Sequence, residues 1–312
     1  MSTIELSQFI RTSAYKLGFS KLGIAPATAQ QQSTNKLKSW LQMGYHSTMY
    51  WMEKRAEERG NIGKYYPEAK SVISLGLNYF TGNPSTESDV GKISNYAWGD
   101  DYHALIKSRL YQLLGKIKTK FPHINGIACV DTSPIMEKDW AQRAGIGWIG
   151  KHTNLITRDY GSWIFLGELL LDVKLEYDAP FDDDLCGTCT ACLDACPTNA
   201  FPEPYVLDAS KCISYLTIEH RGDLPAELED KLSGWIYGCD ICQEVCPWNI
   251  KFSQISNEKP FNPREDLQSR NINNWSKLTE EDFRILFKKS AVKRTKFAGL
   301  KRNINSIQKH KN

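Results

Sequence analysis

Apolar positions along the chain recur with two periods. Near the start, Leu6, Phe9, Ile10, Ala14 and Leu17 share one helical face, and Gly18 supplies a stop. Residues 70–78 (KSVISLGLN) form a largely apolar run, the pattern of a buried strand. Residues 101–118 predict a helix with Leu105, Ile106, Leu110, Leu113, Leu114 and Ile117 on one face. Residues 126–131 predict a short strand around IACV that ends in the carboxylate of Asp131, and residues 163–172 predict another strand. Helices alternating with strands over residues 1–175 imply an α/β domain. Residues 176–250 are too few and too rich in Cys to rest on an apolar core alone. Residues 251–275, rich in Asn, Ser and Pro, read as a connector. Over residues 276–312, Ser276-Lys-Leu-Thr-Glu280 offers a cap and Phe283, Leu286 and Phe287 an apolar stripe, so this tail is expected to be helical.

At about 100–200 residues per domain, 312 residues suffice for roughly two domains. A chain 41% hydrophobic and 24% charged is globular rather than disordered or fibrous. Mean hydropathy is -0.45. The most apolar run, 163–173, is broken by Gly167 and Glu168, well short of the ~18 apolar residues of a membrane span. The N-terminal segment lacks a basic stretch followed by an apolar core, so it does not read as a secretory signal. A soluble, cytoplasmic monomer with no membrane contact is expected.

Charge is unevenly spread. Arg284, Lys288, Lys289, Lys293, Arg294, Lys296, Lys301, Arg302, Lys309 and Lys311 occur from residue 284 onward without one acid. The chain total is +3, so these ten cations leave -7 on the residues before them. A basic tail on an acidic body points to a polyanionic partner, with Lys293, Arg294 and Lys296 at its centre. The plainer alternative is a solvated helix face.

The cysteines narrow the chemistry most. Cys186, Cys189, Cys192 and Cys196-Pro197 follow the spacing C-x2-C-x2-C-x3-C-P of bacterial ferredoxins, in which the fourth Cys ligates the other cluster. Cys239, Cys242 and Cys246-Pro247 repeat that motif with one Cys missing, and Cys212 can fill the vacancy. Eight thiolates make two [4Fe-4S] clusters. Cross-ligation assigns Cys186, Cys189, Cys192 and Cys246 to one, and Cys196, Cys212, Cys239 and Cys242 to the other. Disulfides would need an oxidising compartment. Two structural zinc sites are the other alternative, although zinc has no need of the doubled Cys-Pro ending. Cys129, in INGIACVD, reads as a buried small hydrophobe. The sequence has no Walker loop and no HExxH, and so gives no support to a P-loop nucleotide enzyme or a zinc protease.

Several longer strings carry a family resemblance. VDTSPIMEKDWAQRAGIGWIGKHTNLI (130–156), GYHSTMYWM (44–52), the Asp-Tyr-His at 101–103, KCISYLTIEHRG (211–222), YGCDICQEVCPWN (237–249) and SAVKRTKFAGLKRNI (290–304) resemble the epoxyqueuosine reductases. That family is similar to the cobalamin-dependent reductive dehalogenases. The resemblance covers nearly the whole chain. It implies an α/β (α+β) cobalamin-binding domain at 1–175, an inserted ferredoxin-like domain with two [4Fe-4S] clusters at 176–250, and a connector and short basic helical tail at 251–312. It implies reduction of the epoxide of epoxyqueuosine, at the wobble position of tRNA, as the last step of queuosine synthesis. An external donor would feed electrons through the clusters to cobalamin, and the anticodon stem-loop would be the RNA partner. Asp131 matches the family's proton donor. Arg55, Lys151, His152 and Asn154 match positions around the corrin, and Ser214 and Asp240 flank cluster ligands on the side facing it. His220 and Arg221 follow a string that looks like a substrate-facing loop. Some family members carry a C-terminal helical-repeat extension, which is not expected here. The base-off cobalamin pattern D-x-H-x-x-G is incomplete, because Ile106 stands where Gly would, and Asp101 reads instead as a helix cap. Two other functions compete: a dehalogenase-like enzyme on a small substrate, and a non-enzymatic two-cluster electron carrier.

Overall fold

Four strands organise the first half of the chain: β1 (Lys21–Pro26), β2 (Ser71–Asn78), β3 (Gly126–Cys129) and β4 (Ile164–Leu171). Their order is β1-β2-β4-β3, with every neighbouring pair antiparallel. This computed structural model describes residues 2–82, 91–264, 267 and 270–310. It comprises two compact units. The first contains Met1–Gly44, Tyr50–Asn78 and Tyr102–Thr188; the second contains Tyr45–Met49, Tyr79–Asp101 and Cys189–Asn312.

In the first unit, β2 and β4 are the central strands and every residue of both is buried. That is why they read as apolar runs rather than as alternating patterns. Helix Tyr102–Lys120 buries Ile106, Leu110, Leu113, Leu114 and Ile117, and Leu105 is half-buried. Helix Thr3–Lys16 begins with a capping box: Ser2 Oγ accepts from the Glu5 N–H, and the Glu5 carboxylate accepts from the Ser2 N–H. Gly18, at φ +90°, closes it. β1 was not visible in the apolar pattern. A Cβ on its Gly23 would lie 2.0 Å from the Ala144 carbonyl oxygen, so a close approach fixes Gly there. Cys129 packs with Ala25, Ile62, Val72, Ile135, Trp140, Ala144 and Leu170, as a buried small hydrophobe should.

The expected connector is part of a core. Phe261, Leu267, Ile272 and Trp275 are each at most 4% exposed. Three of them pack with Ile93, Trp98, Ile236, Tyr237, Phe287, Leu300 and Ile304 in the second unit. Isolated anchors in an Asn- and Ser-rich segment leave no period to read, hence the miss. The tail is helical at Glu280–Leu286 and Lys296–Lys309. The cap of the first is Thr279, within the expected stretch 276–280, with Asp282 completing a capping box. Asn303, fully buried in the second, donates to the carbonyls of Thr217 and Ile236, both at 2.9 Å. Among the described residues no helix is long and apolar enough to cross a membrane.

Candidate functional site

Asp131 follows β3 in the left-handed region, at φ +39°. Its N–H donates to Glu137 Oε1 at 2.6 Å, and its Oδ2 lies 2.9 Å from His103 Nε2. His103 stacks on Tyr102, and Tyr102 on Phe165 of β4, with centroids 4.1 and 4.0 Å apart. The strand-end rule of parallel α/β sheets does not explain this placement, because the sheet is antiparallel. The turn after β3 and the helix Glu137–Arg143 place Asp131 instead. Its carboxylate is 55% exposed, so the surrounding protein does not itself supply the burial expected of a general acid.

Behind Asp131 lie groups not singled out from the sequence. Glu137 is pushed up to about 8, first by burial and then by the nearby Asp131 charge. Glu168, in the middle of β4, is fully buried with neither carboxyl oxygen hydrogen-bonded. Burial, then Glu137, holds it well above the usual carboxylate range. Arg59 is buried, lies over the Trp51 ring at 5.3 Å, and feels the charges of Asp131 and Glu137. The available signal was Glu168 itself, an acid inside an apolar run.

Three of the expected corrin contacts share one loop between the short strands Trp148–Ile149 and Leu155–Ile156. Lys151 Nζ donates to the Gly187 carbonyl at 2.6 Å. His152 is 3% exposed; its Nδ1 accepts from the Asn154 N–H at 3.2 Å, so Nε2 carries the proton and has no partner. Burial, then the Lys138 charge, pushes this imidazole down to about 4, so it is neutral. Lys138 Nζ donates to Asn154 Oδ1 and to the Thr153 carbonyl, both at 3.0 Å, tying the loop to the helix that holds Asp131. Arg55 is exposed, pairs with Glu58 at 3.3 Å and lies 5.3 Å over the Tyr65 ring. An orphaned buried N–H beside a lysine and an amide fits a large polar-edged cofactor.

All eight motif cysteines are unbridged. Short turns at Ala191–Asp194 and Ile241–Glu244 precede the Cys196-Pro197 and Cys246-Pro247 pairs. In the second unit, the Cys242 thiol is raised by burial and then by Cys212, with Cys192 and Cys196 also acting on it. Cys239 is likewise raised by burial and by Cys242 and Cys212. These are sulfur donors close together and poor at ionising without a cation, which suits a bound metal centre. Among the described residues, no three His, Cys, Asp or Glu side chains are gathered as the shell of one metal ion. Cys186 is half-buried in the first unit, its N–H donated to Asp184 at 3.0 Å. Asp240 is 1% exposed and engaged within the fold, accepting from the Ser94 hydroxyl and from the Asn95 N–H at 2.7 Å. Burial raises it to about 7. Ser214 is half-buried on helix Ile213–Ile218, which Cys212 precedes.

The expected RNA contacts are brought together in the second unit. Arg294 forms a two-pronged ion pair with Glu219, both contacts at 2.8 Å. Arg221 donates to the carbonyls of Ile218, His220 and Arg294. His220 Nε2 lies 2.7 Å from the Asp223 carbonyl oxygen. Lys288, Lys289, Lys293 and Lys296 are exposed. Other tail cations serve the fold: Arg302 donates to the carbonyls of Leu216, His220 and Gly222, Lys301 to that of Ser276, and Lys309 pairs with Glu229. Lys311 lies outside the described residues.

A carboxylate loop backed by buried acids, together with cysteines at doubled ferredoxin spacing, defines an iron–sulfur oxidoreductase. Residues 185–249 match the family model for a 4Fe-4S double cluster binding domain, and residues 59–132 match that for epoxyqueuosine reductase QueG, DUF1730. The epoxyqueuosine reductase of Cellulophaga algicola is 46% identical, over 97% of this chain and 98% of its own length. An epoxyqueuosine reductase solved with an epoxyqueuosine-modified tRNA-Tyr stem loop superposes with TM-score 0.92 at 30% identity, covering 99% of this chain and 82% of that one. The Bacillus subtilis reductase, solved with its catalytic aspartate loop swung out of the active site, gives TM-score 0.91 at 29% identity over 99% of this chain and 82% of that one. The chain belongs to the epoxyqueuosine reductase family.

Proposed function

We propose that this protein reduces the epoxide of epoxyqueuosine, at the wobble position of tRNA, to queuosine, with two [4Fe-4S] clusters and cobalamin as cofactors. The observation that supports this most is the end-to-end likeness to a reductase solved with an epoxyqueuosine-modified stem loop. Asp131 delivers a proton to the epoxide oxygen, which leaves as water after two electrons and two protons. His103, 2.9 Å from the acid, orients it. Lys151, His152 and Asn154 hold the polar edge of the cofactor, the His152 Nε2–H finding there the partner it lacks within the protein, and Arg55 adds a cation. Cobalamin, when bound, supplies a strongly reducing cobalt centre. Cys186, Cys189, Cys192 and Cys246 hold one cluster, and Cys196, Cys212, Cys239 and Cys242 the other. Ser214 and Asp240 belong to the electron-delivering end, beside Cys212, Cys239 and Cys242. His220, Arg221, Lys293, Arg294 and Lys296 form the RNA-facing surface. The protein works in the cytoplasm as a monomer, supplied by an external donor.

The test is anaerobic reaction of the purified, cluster-loaded protein with an epoxyqueuosine-bearing stem-loop and a chemical reductant, with and without cobalamin. Conversion to queuosine only when cobalamin is present is expected. Clusters without corrinoid binding, and no conversion, would favour an electron carrier instead.

A further inference from the structure

Reductive loss of an epoxide oxygen consumes two protons, and Asp131 carries one at a time. Two further carboxyls stand directly behind it. Glu137 heads the helix Glu137–Arg143, and its Oε1 accepts the Asp131 N–H at 2.6 Å. Glu168 occupies the centre of β4, in register with Cys129 of β3 on one side and Ser74 of β2 on the other. Neither Glu168 oxygen nor the buried Ser74 hydroxyl has a hydrogen-bond partner. A buried carboxylate without donors is strongly disfavoured as the ion, so Glu168 is held as the neutral acid. The Glu137 charge raises Glu168, and the Glu168 carboxyl in turn acts on Glu137 as a polar neighbour that favours its ionised form. Two acids at such range resist losing both protons. The groups facing them are Asp131 from the turn after β3, His103 from helix Tyr102–Lys120, Arg59 from helix Ala56–Gly60, and Cys129 from β3. Burial pushes that thiol up to about 12, so it stays neutral.

We propose that half-buried Glu137 and fully buried Glu168 are an acid pair that stores a proton behind Asp131, with Glu137 both positioning Asp131 and recharging it between the two protonations of one turnover. This rests on the reading of Asp131 as the acid. Asp131 protonates the epoxide oxygen as the first C–O bond breaks. The stored proton passes to Asp131 and on to the same oxygen. Two electrons from the external donor, arriving through the clusters, complete the alkene, and the oxygen departs as water with its second C–O bond broken. Half-buried Glu137 then takes a proton back from solvent. The 2.6 Å contact reaches the Asp131 N–H rather than its carboxylate, so transfer needs one bridging water or one side-chain rotation.

Three readouts test this in Glu137→Gln, Glu168→Gln and the parent. The first needs no substrate. An ordinary Glu titrates near 4.5 and Glu137 near 8, so the folded state retains a proton that the unfolded state releases between them. The pair's contribution to stability is therefore full below about 4.5 and falls as pH rises toward 8, and Glu168→Gln should flatten that decline in melting temperature. The second is the infrared carbonyl stretch of a protonated carboxylic acid, present in the parent at neutral pH and reduced in both variants. The third is turnover. Glu137→Gln should lower kcat by about ten-fold or more with KM little changed, and Glu168→Gln should shift the alkaline limb of the kcat profile to lower pH. A parent without the neutral-acid band, or variants with parental pH dependence of both melting and kcat, would overturn the pair. A parent that fails to convert the stem-loop while the band and the melting slope are present would instead remove the functional reading and leave the pair standing.

Discussion

Asp131 adopts a backbone conformation that non-glycine residues avoid, at a cost of about 1–3 kcal/mol. The N–H bond to Glu137 and the side-chain contact to His103 help to hold it there. Both bear on where the carboxylate points, which is what its proposed role as proton donor requires. Cys212 is the residue-scale counterpart in the second unit. It lies outside either Cys motif, yet its charge acts on both Cys239 and Cys242. Parent protein should contain about eight irons from two clusters, and Cys212→Ala should lose or degrade one cluster while the other survives. Iron analysis near zero with stoichiometric zinc in the parent would defeat the cluster assignment.

At the scale of elements, the tail helix Lys296–Lys309 does two jobs with one sequence. Leu300 and Ile304 enter the core, while Arg302 ties three carbonyls of residues 216–222. Those carbonyls lie in the segment that carries His220 and Arg221. Among the described residues of the tail, the exposed cations left for a polyanion are therefore Lys288, Lys289, Lys293 and Lys296, with Arg284 already paired to Glu280 and Arg294 to Glu219. Replacing those four lysines with Gln should weaken binding of every tRNA stem-loop alike and flatten the salt slope by roughly 0.7–0.9 per lost contact. Filter binding across a salt series measures it; an unchanged slope would leave the tail a purely structural element. The long helix, β2 and β4 were legible because each buries a continuous stripe or run. β1 was not, since Gly23 and Pro26 interrupt six residues. The Cys spacing was legible because cluster geometry is local. The Glu137–Glu168 pair was not, because only the sheet brings two acids 31 positions apart into range.

Across the whole molecule, the chain passes more than once between a unit that holds Asp131 and Cys186 and a unit that holds the other seven motif cysteines. The proposed function divides the chemistry accordingly, assigning electrons to Cys212, Cys239 and Cys242 and protons to Asp131. Single-turnover conversion of an epoxyqueuosine-bearing stem-loop by Asp131→Asn, compared with the parent, tests the central claim most directly. The variant should retain its iron, bind cobalamin and RNA as the parent does, and convert the substrate about 10²–10⁴-fold more slowly. Conversion at the parental rate would contradict it, leaving Asp131 as a turn residue and placing the proton donor elsewhere.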